Sequence, residues 1–356
     1  MENRTLRHGP DLRRSADLRD WARLPSWTAA VEPVLAPLAG AADSFTGLTG
    51  VPVHLPTALF LRARLMGHTP PGRTSAGGSC HLLATADGWA AVNLARPDDT
   101  AALPALLALL GASGEDLHAL RTAARSRTAA EVAESAQLLG IAAAGLGHAH
   151  GSRPPVHARL LGERRVRTLA DVRVVDLSAL WAGPLCARLL GLAGARVLKV
   201  ESTTRPDGAR LGNPAFYRWL HDGHDSRVVD FATDALAEAV DGADVVIEAS
   251  RPRALRRLGI HAERFLAARP GRVWVGITGY GRDDDRIAFG DDAAVAGGLT
   301  GRDTHGDPVF LGDALADPVT GVYAAEAVAR SLAAGGGELL DVSMAACAAA
   351  LARTRR

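Results

Sequence analysis

The sequence predicts an α/β protein: a doubly wound, Rossmann-like parallel sheet accompanied by a second, smaller α/β domain. Three observations carry this. First, VRVVDLS (172–178), GPLCARLLGLAG (183–194) and ARVLKVE (195–201) read as strand, helix and strand. That spacing requires a parallel pair with a right-handed crossover. Second, the alternation continues through SRVVDF (226–231), a helix near 233–240, ADVVIEA (243–249), a helix near 253–267 and RVWVGITGYG (272–281), so four or five strands share one sheet. Third, two apolar runs far upstream flank Asp87-Gly88, a turn dipeptide that marks a separate hairpin.

Along the chain, residues 1–70 are rich in Ala and Leu with interspersed proline and read as short helices that carry no nameable chemistry. Residues 79–95 are the hairpin, and helical stretches at about 100–111 and 127–139 complete a small α/β unit. Residues 1–150 are therefore grouped as an N-terminal helical segment plus the smaller domain. Paired prolines with His and Arg near 148–168 mark a change of character, which makes 151–168 a linker and 169–356 the Rossmann-like domain. Ligands of such a sheet sit at the carboxyl ends of its strands.

Composition narrows the function. The 356 residues are 47% hydrophobic and 22% charged, enough to bury a sizeable core. Lys plus Arg number 40 against 39 Asp plus Glu, so no charge excess draws the surface to nucleic acid or anionic lipid, and any bound anion must be held locally. Lys199 is the only lysine. Cys80, Cys186 and Cys347 are scattered without metal-ligand spacing, so no metal is expected. The N-terminus is charged from its second residue, unlike a signal peptide, and no apolar run reaches membrane-spanning length. The expectation is a cytoplasmic protein with reduced thiols.

Three segments invite chemistry. The turn Ser178 to Pro184 leaves a strand and enters a helix with small residues, so the backbone N–H groups of its loop can approach a phosphate; an ordinary strand–helix turn explains it about as well. Without a G-x-G-x-x-G spacing it is no dinucleotide fingerprint, although Glu201 stands where a ribose-binding acid would. Arg251, Arg253, Arg256 and Arg257 start at a strand end and could clamp phosphates or form a solvated helix face. In GDALADPVTGVYAA, Asp317 precedes a proline at a helix start, where it reads as an N-cap and equally as a fixed, ionised carboxylate open to a cleft.

These segments together resemble the class III coenzyme A transferases, the family of formyl-CoA transferase, carnitine CoA-transferase and α-methylacyl-CoA racemase. The resemblance spans about residues 169–350. It rests on VRVVDLSALWAGPLCARLLGLAGARVLKVE, ADVVIEASRPRALRRLGI, VWVGITGYGRDDDRIAFGDD, GDALADPVTGVYAA and GGGELLDVSMAA, in order. It implies that Asp317 is the catalytic nucleophile. It places Leu180, Trp181 and Ala182 in the loop beside the thioester, and Arg257, with Arg205 and His224, among the residues that bind coenzyme A. The implied substrates are an acyl-CoA and a carboxylic acid, with no covalently bound cofactor, in a homodimer with no nucleic-acid or membrane partner.

This sequence also departs from the family pattern. Asp222-Gly223-His224-Asp225 replaces a basic run, so His224 stands in for a phosphate contact, and Ser202 occupies a place where an arginine is usual, with Arg205 near. Phe289 holds the position of the racemase branch's second acid–base residue, which ranks a transferase above a racemase or epimerase. The stretch 80–145 resembles the family's smaller domain yet comes first, so the order of parts reads as permuted or as a truncated tandem arrangement. A non-catalytic CoA-binding homologue is the alternative from another class, and a nicotinamide-dependent oxidoreductase a weaker one.

Overall fold

The computed structural model describes residues 35–149 and 153–353. The expected helices within residues 1–34 lie outside them. Helices α1 (Leu35–Thr49) and α2 (Leu55–Met66) come first. Strands β1 (Cys80–Ala84) and β2 (Trp89–Asn93) pair antiparallel across Asp87-Gly88, with Gly88 at φ 155. Helices α3 (Pro97–Ala101), α4 (Leu103–Leu109), α5 (Leu117–Ala124) and α6 (Ala129–Leu138) follow, and β3 (Ala142–Gly145) joins β2 to close a three-stranded sheet. A capping box starts α6: Thr128 Oγ1 accepts from Glu131 N–H (3.2 Å) and Glu131 Oε2 accepts from Thr128 N–H (2.7 Å).

The large sheet takes β4 (Val156–Leu160), β5 (Arg173–Asp176), β6 (Arg196–Ser202), β7 (Asp225–Val229), β8 (Val245–Glu248), β9 (Val273–Thr278) and, after a two-residue pair β10 (Gly301–Arg302) and β11 (Pro308–Val309), β12 (Glu338–Ser343). Its seven strands lie in the order β4-β12-β9-β8-β5-β6-β7, all parallel except β4. The sheet grows outward from β5 in both directions, so the strand order reverses between β5 and β8, where such folds open a ligand crevice. Connecting helices are α7 (Ala182–Leu192), α8 (Pro214–His221), α9 (Ala235–Asp241), α10 (Pro252–Arg257), α11 (Ala262–Ala268), α12 (Gly290–Ala296), α13 (Ala316–Ala333) and α14 (Met344–Ala352). Among the described residues, no helix is long and apolar enough to cross a membrane.

Two differences from expectation have physical causes. Residues 156–160, in the stretch expected to be a linker, add the antiparallel edge strand β4; most of its residues are exposed, so it lacks the apolar run that marks a buried strand. Helices α1 and α2, grouped by sequence order with the smaller unit, share one apolar core with α7, α13 and the large sheet through Leu38, Phe45, Leu59 and Phe60. The smaller sheet instead docks on the loop before α12. Gln137 donates to Ile287 O (2.8 Å) and accepts from Ile287 N–H (2.9 Å), and Asn93 Nδ2 donates to Asp292 Oδ1 (3.0 Å).

Candidate active site

Asp317 is the second residue of α13, not its cap. Leu315, already helical at φ −58 and ψ −29, precedes the helix, and Asp317 makes no capping hydrogen bond. The helix begins early because buried Leu315 packs into the core and Asp317 N–H donates back to Ala314 O (2.9 Å). The carboxylate is thus left free of the backbone. It stands half-buried against the first residue of α12, where a Cβ on Gly290 would come 2.7 Å from Asp317 Oδ2 and closer still to Ala314 O. Only glycine permits that approach.

The surroundings are acidic. Burial first, then the charges of Asp291, Asp292 and Asp313, push Asp317 up to about 8, while Arg62 works in the opposite direction. Burial, followed by Asp313, raises Asp291 to about 7; burial raises Asp292 to about 7 against hydrogen bonds that favour its charge. Asp291 Oδ1 accepts from Ala314 N–H (3.0 Å), and Asp292 Oδ1 accepts from Phe289 N–H (3.0 Å). Arg62, on α2, donates through Nη1 to Asp313, whose other oxygen lies 3.3 Å from His68 Nδ1. Sequence reasoning missed Arg62, His68, Asp291 and Asp313: Arg62 and His68 sit in no motif, Asp291 and Asp313 sit in segments whose pattern gives them no role of their own, and Arg62 and Asp313 are 251 positions apart.

The turn after β5 comes beside this helix. A Cβ on Gly321 would meet Ala182 O at 2.8 Å and Leu185 Cβ at 2.9 Å, so α7 and α13 touch where Asp317's helix begins. Leu180 is 40% exposed, whereas Trp181 is buried, edge-on to Phe216 (5.1 Å between centroids) and 5.7 Å from the Arg62 guanidinium. Ala182 is buried with it. Leu180 sits at φ 70, and its N–H donates to Asp207 Oδ1 (2.9 Å). Asp207 Oδ2 in turn lies 3.1 Å from the buried Lys199 ammonium, which also reaches Asp176 Oδ2 (3.6 Å) and donates to Ser178 O.

This arrangement decides which amides can stabilise an oxyanion. Leu180 N–H is committed to Asp207. At the start of α13, Asp317 and Val319 donate to Ala314 O and Leu315 O, and Pro318 has no N–H. Ala182 and Gly183, the first two residues of α7, have no acceptor within the helix.

The other expected binding residues are not gathered at Asp317. Arg205 is exposed on the loop leaving β6, and Arg257 is exposed at the end of α10. His224 packs on Gly191 at the far end of α7, roughly 13 Å along that helix from Ala182. Burial brings His224 down to about 4, which disfavours the cationic form a phosphate contact needs. Arg251 and Arg253 do face a cleft of about 680 Å³, together with Gln137, His148, Tyr280 and Arg286, at the carboxyl ends of β8 and β9. Ala296, in the last turn of α12, also lines that cleft, while Gly290 at the other end of α12 meets Asp317.

Glu201 is otherwise engaged. Burial opposes its charge, but donors on Arg210, Asp207 and Tyr217 outweigh burial and bring it to about 2. No oxygen is left pointing out for a ribose. Among the described residues, no group of His, Cys, Asp and Glu could hold a metal ion.

The family model for CoA-transferase family III matches residues 169–355. The chain belongs to CoA-transferase family III. Curated relatives of this family III chain include succinyl-CoA–D-citramalate CoA-transferase of Chloroflexus aurantiacus, 30% identical over 51% of this chain and 50% of that protein. Succinate–glutarate CoA-transferase of Agrobacterium fabrum is 28% identical over 49% and 50%, and human succinyl-CoA:glutarate CoA-transferase 30% identical over 47% and 42%. The family III chain therefore spans about half the length of the curated relatives it matches. The crystal structure of a CAIB/BAIF family protein from Brucella suis has 28% identity and a TM-score of 0.46, covering 52% of this chain and 55% of that one. Asp317, Leu180, Trp181, Ala182, Arg205, His224 and Arg257 fall inside the family match, whereas Arg62 and His68 lie upstream of it.

Proposed function

We propose that this protein transfers coenzyme A from an acyl-CoA to a carboxylic acid, with Asp317 as the nucleophile. The observation that carries the reading is a half-buried carboxylate without a capping partner, at the start of α13 against Gly290, inside the family III match. Ionised Asp317 attacks the thioester carbonyl, the C–S bond breaks, and CoA leaves as thiolate from a mixed anhydride. The thiolate then attacks the aspartyl carbonyl, releasing the first carboxylate and leaving an aspartyl-CoA thioester. The acceptor carboxylate attacks that thioester, and the returning thiolate takes the acceptor's acyl group and frees Asp317. Each tetrahedral oxyanion needs donors, and the unpartnered N–H groups of Ala182 and Gly183 are our candidates.

Arg251, Arg253 and Arg286 line the cleft beyond α12 and suit the phosphates of CoA, which enters as substrate rather than as a bound cofactor. The relatives' names put dicarboxylic acids such as succinate and glutarate first among those to try. The permuted order of parts, a homodimer and a cytoplasmic location belong to the same reading. Phe289, whose ring lies 5.8 Å from the Arg96 guanidinium, offers no acid–base group for racemisation. The test is incubation with succinyl-CoA and hydroxylamine, followed by mass mapping. A hydroxamate on Asp317 is expected; CoA binding with Asp317 unmodified would overturn the nucleophile.

A further inference from the structure

We propose that Arg62, upstream of the family match, is a positioning residue for Asp317: it holds Asp313 and the turn that presents the nucleophile, so that α2 is a working part of the active site. The proposal rests on the transferase reading. Arg62 stands where three segments meet. Nη1 donates to Asp313, the guanidinium carbon lies 5.7 Å from the Trp181 ring centroid, and Nη2 comes within 4.0 Å of a Cβ on Gly77. The side chain of Asp313 is 1% exposed, and a carboxylate so buried is strongly disfavoured without a cation.

The turn it belongs to is strained. Gly312 has φ 72 and Ala314 φ 46, a left-handed value that alanine adopts only when held there. Two anchors hold it: Arg62 through Asp313, and Asp291 through the Ala314 N–H (3.0 Å). Ala314 O then accepts from Asp317 N–H, so the turn sets the direction of the first residues of α13. Loss of Arg62 frees one anchor and shifts Asp317 relative to Gly290.

It also changes the field. The charged groups facing Asp317 are Arg62 from α2, Asp291 and Asp292 from α12, and Asp313 from the turn, with His68 behind Asp313. Arg62 is the cation that opposes the three carboxylates. Without it, the nucleophile ionises only at higher pH.

The test uses the full chain as wild type, Arg62→Met, Arg62→Lys and the double variant Arg62→Met with Asp313→Asn. Hydroxamate formation at Asp317 from succinyl-CoA is followed against pH and thioester concentration. Hydrogen exchange of amides 312–319 is read in the same samples. Arg62→Met is expected to slow capture at neutral pH by about tenfold or more and to move its pH midpoint upward by about one unit, with KM for the thioester changed less than about threefold. Arg62→Lys recovers part of the rate. The double variant, which carries no unpaired carboxylate, recovers the midpoint. Faster exchange at 312–319 in Arg62→Met is expected whatever the chemistry. A folded Arg62→Met protein with wild-type exchange and, where capture occurs, a wild-type pH midpoint would overturn the proposal. Absence of hydroxamate in the wild type counts instead against the transferase reading, and exchange alone then decides the role of Arg62.

Discussion

Asp207 holds Leu180 in a conformation leucine avoids: the Leu180 N–H donates to Asp207 Oδ1 at 2.9 Å while its φ is 70. Asp207 is fixed in turn by Lys199 (3.1 Å) and by its own N–H on Glu201 Oε2 (2.7 Å), so a buried charge network sets the shape of the turn that faces Asp317's helix. Asp207→Ala leaves the buried ammonium short of a partner and is expected to cost about 3–5 kcal/mol in denaturant unfolding. Leu180→Gly removes the Cβ penalty and should keep stability or raise it by about 1 kcal/mol. A marked loss in the glycine variant would mean that the leucine side chain, not the backbone, secures the turn.

Asp317→Asn should abolish hydroxamate formation and lower transfer by at least about a thousandfold while the protein stays folded. Because Asp317 caps nothing, Asp317→Ala should show no cap-loss penalty in thermal melts. Full turnover by the asparagine variant would place the nucleophile elsewhere.

The pH dependence follows from the raised values. The proposed transfer needs ionised Asp317, so its rate should climb with pH to a midpoint of about 8. Stability should run the other way. Asp291, Asp292 and Asp317 hold protons in the folded state up to about 7, about 7 and about 8, above the value of about 3.9 for an unfolded aspartate. Their contribution is therefore complete below about pH 4 and is lost as pH rises through about 7–8. Melts from pH 5 to 9 check the trend, and Asp317→Asn should flatten its alkaline part.

Gly290→Ala puts a Cβ 2.7 Å from Asp317 Oδ2 and into Ala314 O. The backbone must shift, so both the melting temperature and the capture rate at Asp317 should fall, the latter by about tenfold or more. A neutral outcome in both would show that the approach of α12 to α13 is loose.

Comparison of Arg253→Ala with Arg257→Ala locates the coenzyme's phosphates. Arg253 lines the cleft and Arg257 is not among its lining residues, so the first change should raise KM for the thioester about tenfold and the second far less. The reverse order would move the binding track onto the outer face of α10.

Much of the large sheet is legible because β5, β8 and β9 carry buried apolar stretches, Val174-Val175, Val245–Ile247 and Val273–Val275, at strand spacing. Strand β4 is not, since its exposed residues carry no such signal. Asp317 is legible from the Asp-Pro pair at a helix start, but its place inside the first turn depends on how Leu315 packs. The four groups around it are hidden for a different reason. Arg62 and Asp313 meet across 251 positions and Asn93 and Asp292 across 199, and no local spacing encodes contacts of that kind. The N-terminal helices read as featureless because what distinguishes them is the core they pack against.

Lys199 has a last consequence. It carries the only side-chain amine in the sequence, and that amine is 1% exposed between Asp176 and Asp207. Thioesters and anhydrides acylate free amines, and the proposed reaction would form both beside the protein's own surface. In this chain the guanidinium groups that supply nearly all of the positive charge are poor acyl acceptors, and the lone lysine is sealed beneath the turn it supports, so acyl groups have no side-chain amine at the surface on which to go astray.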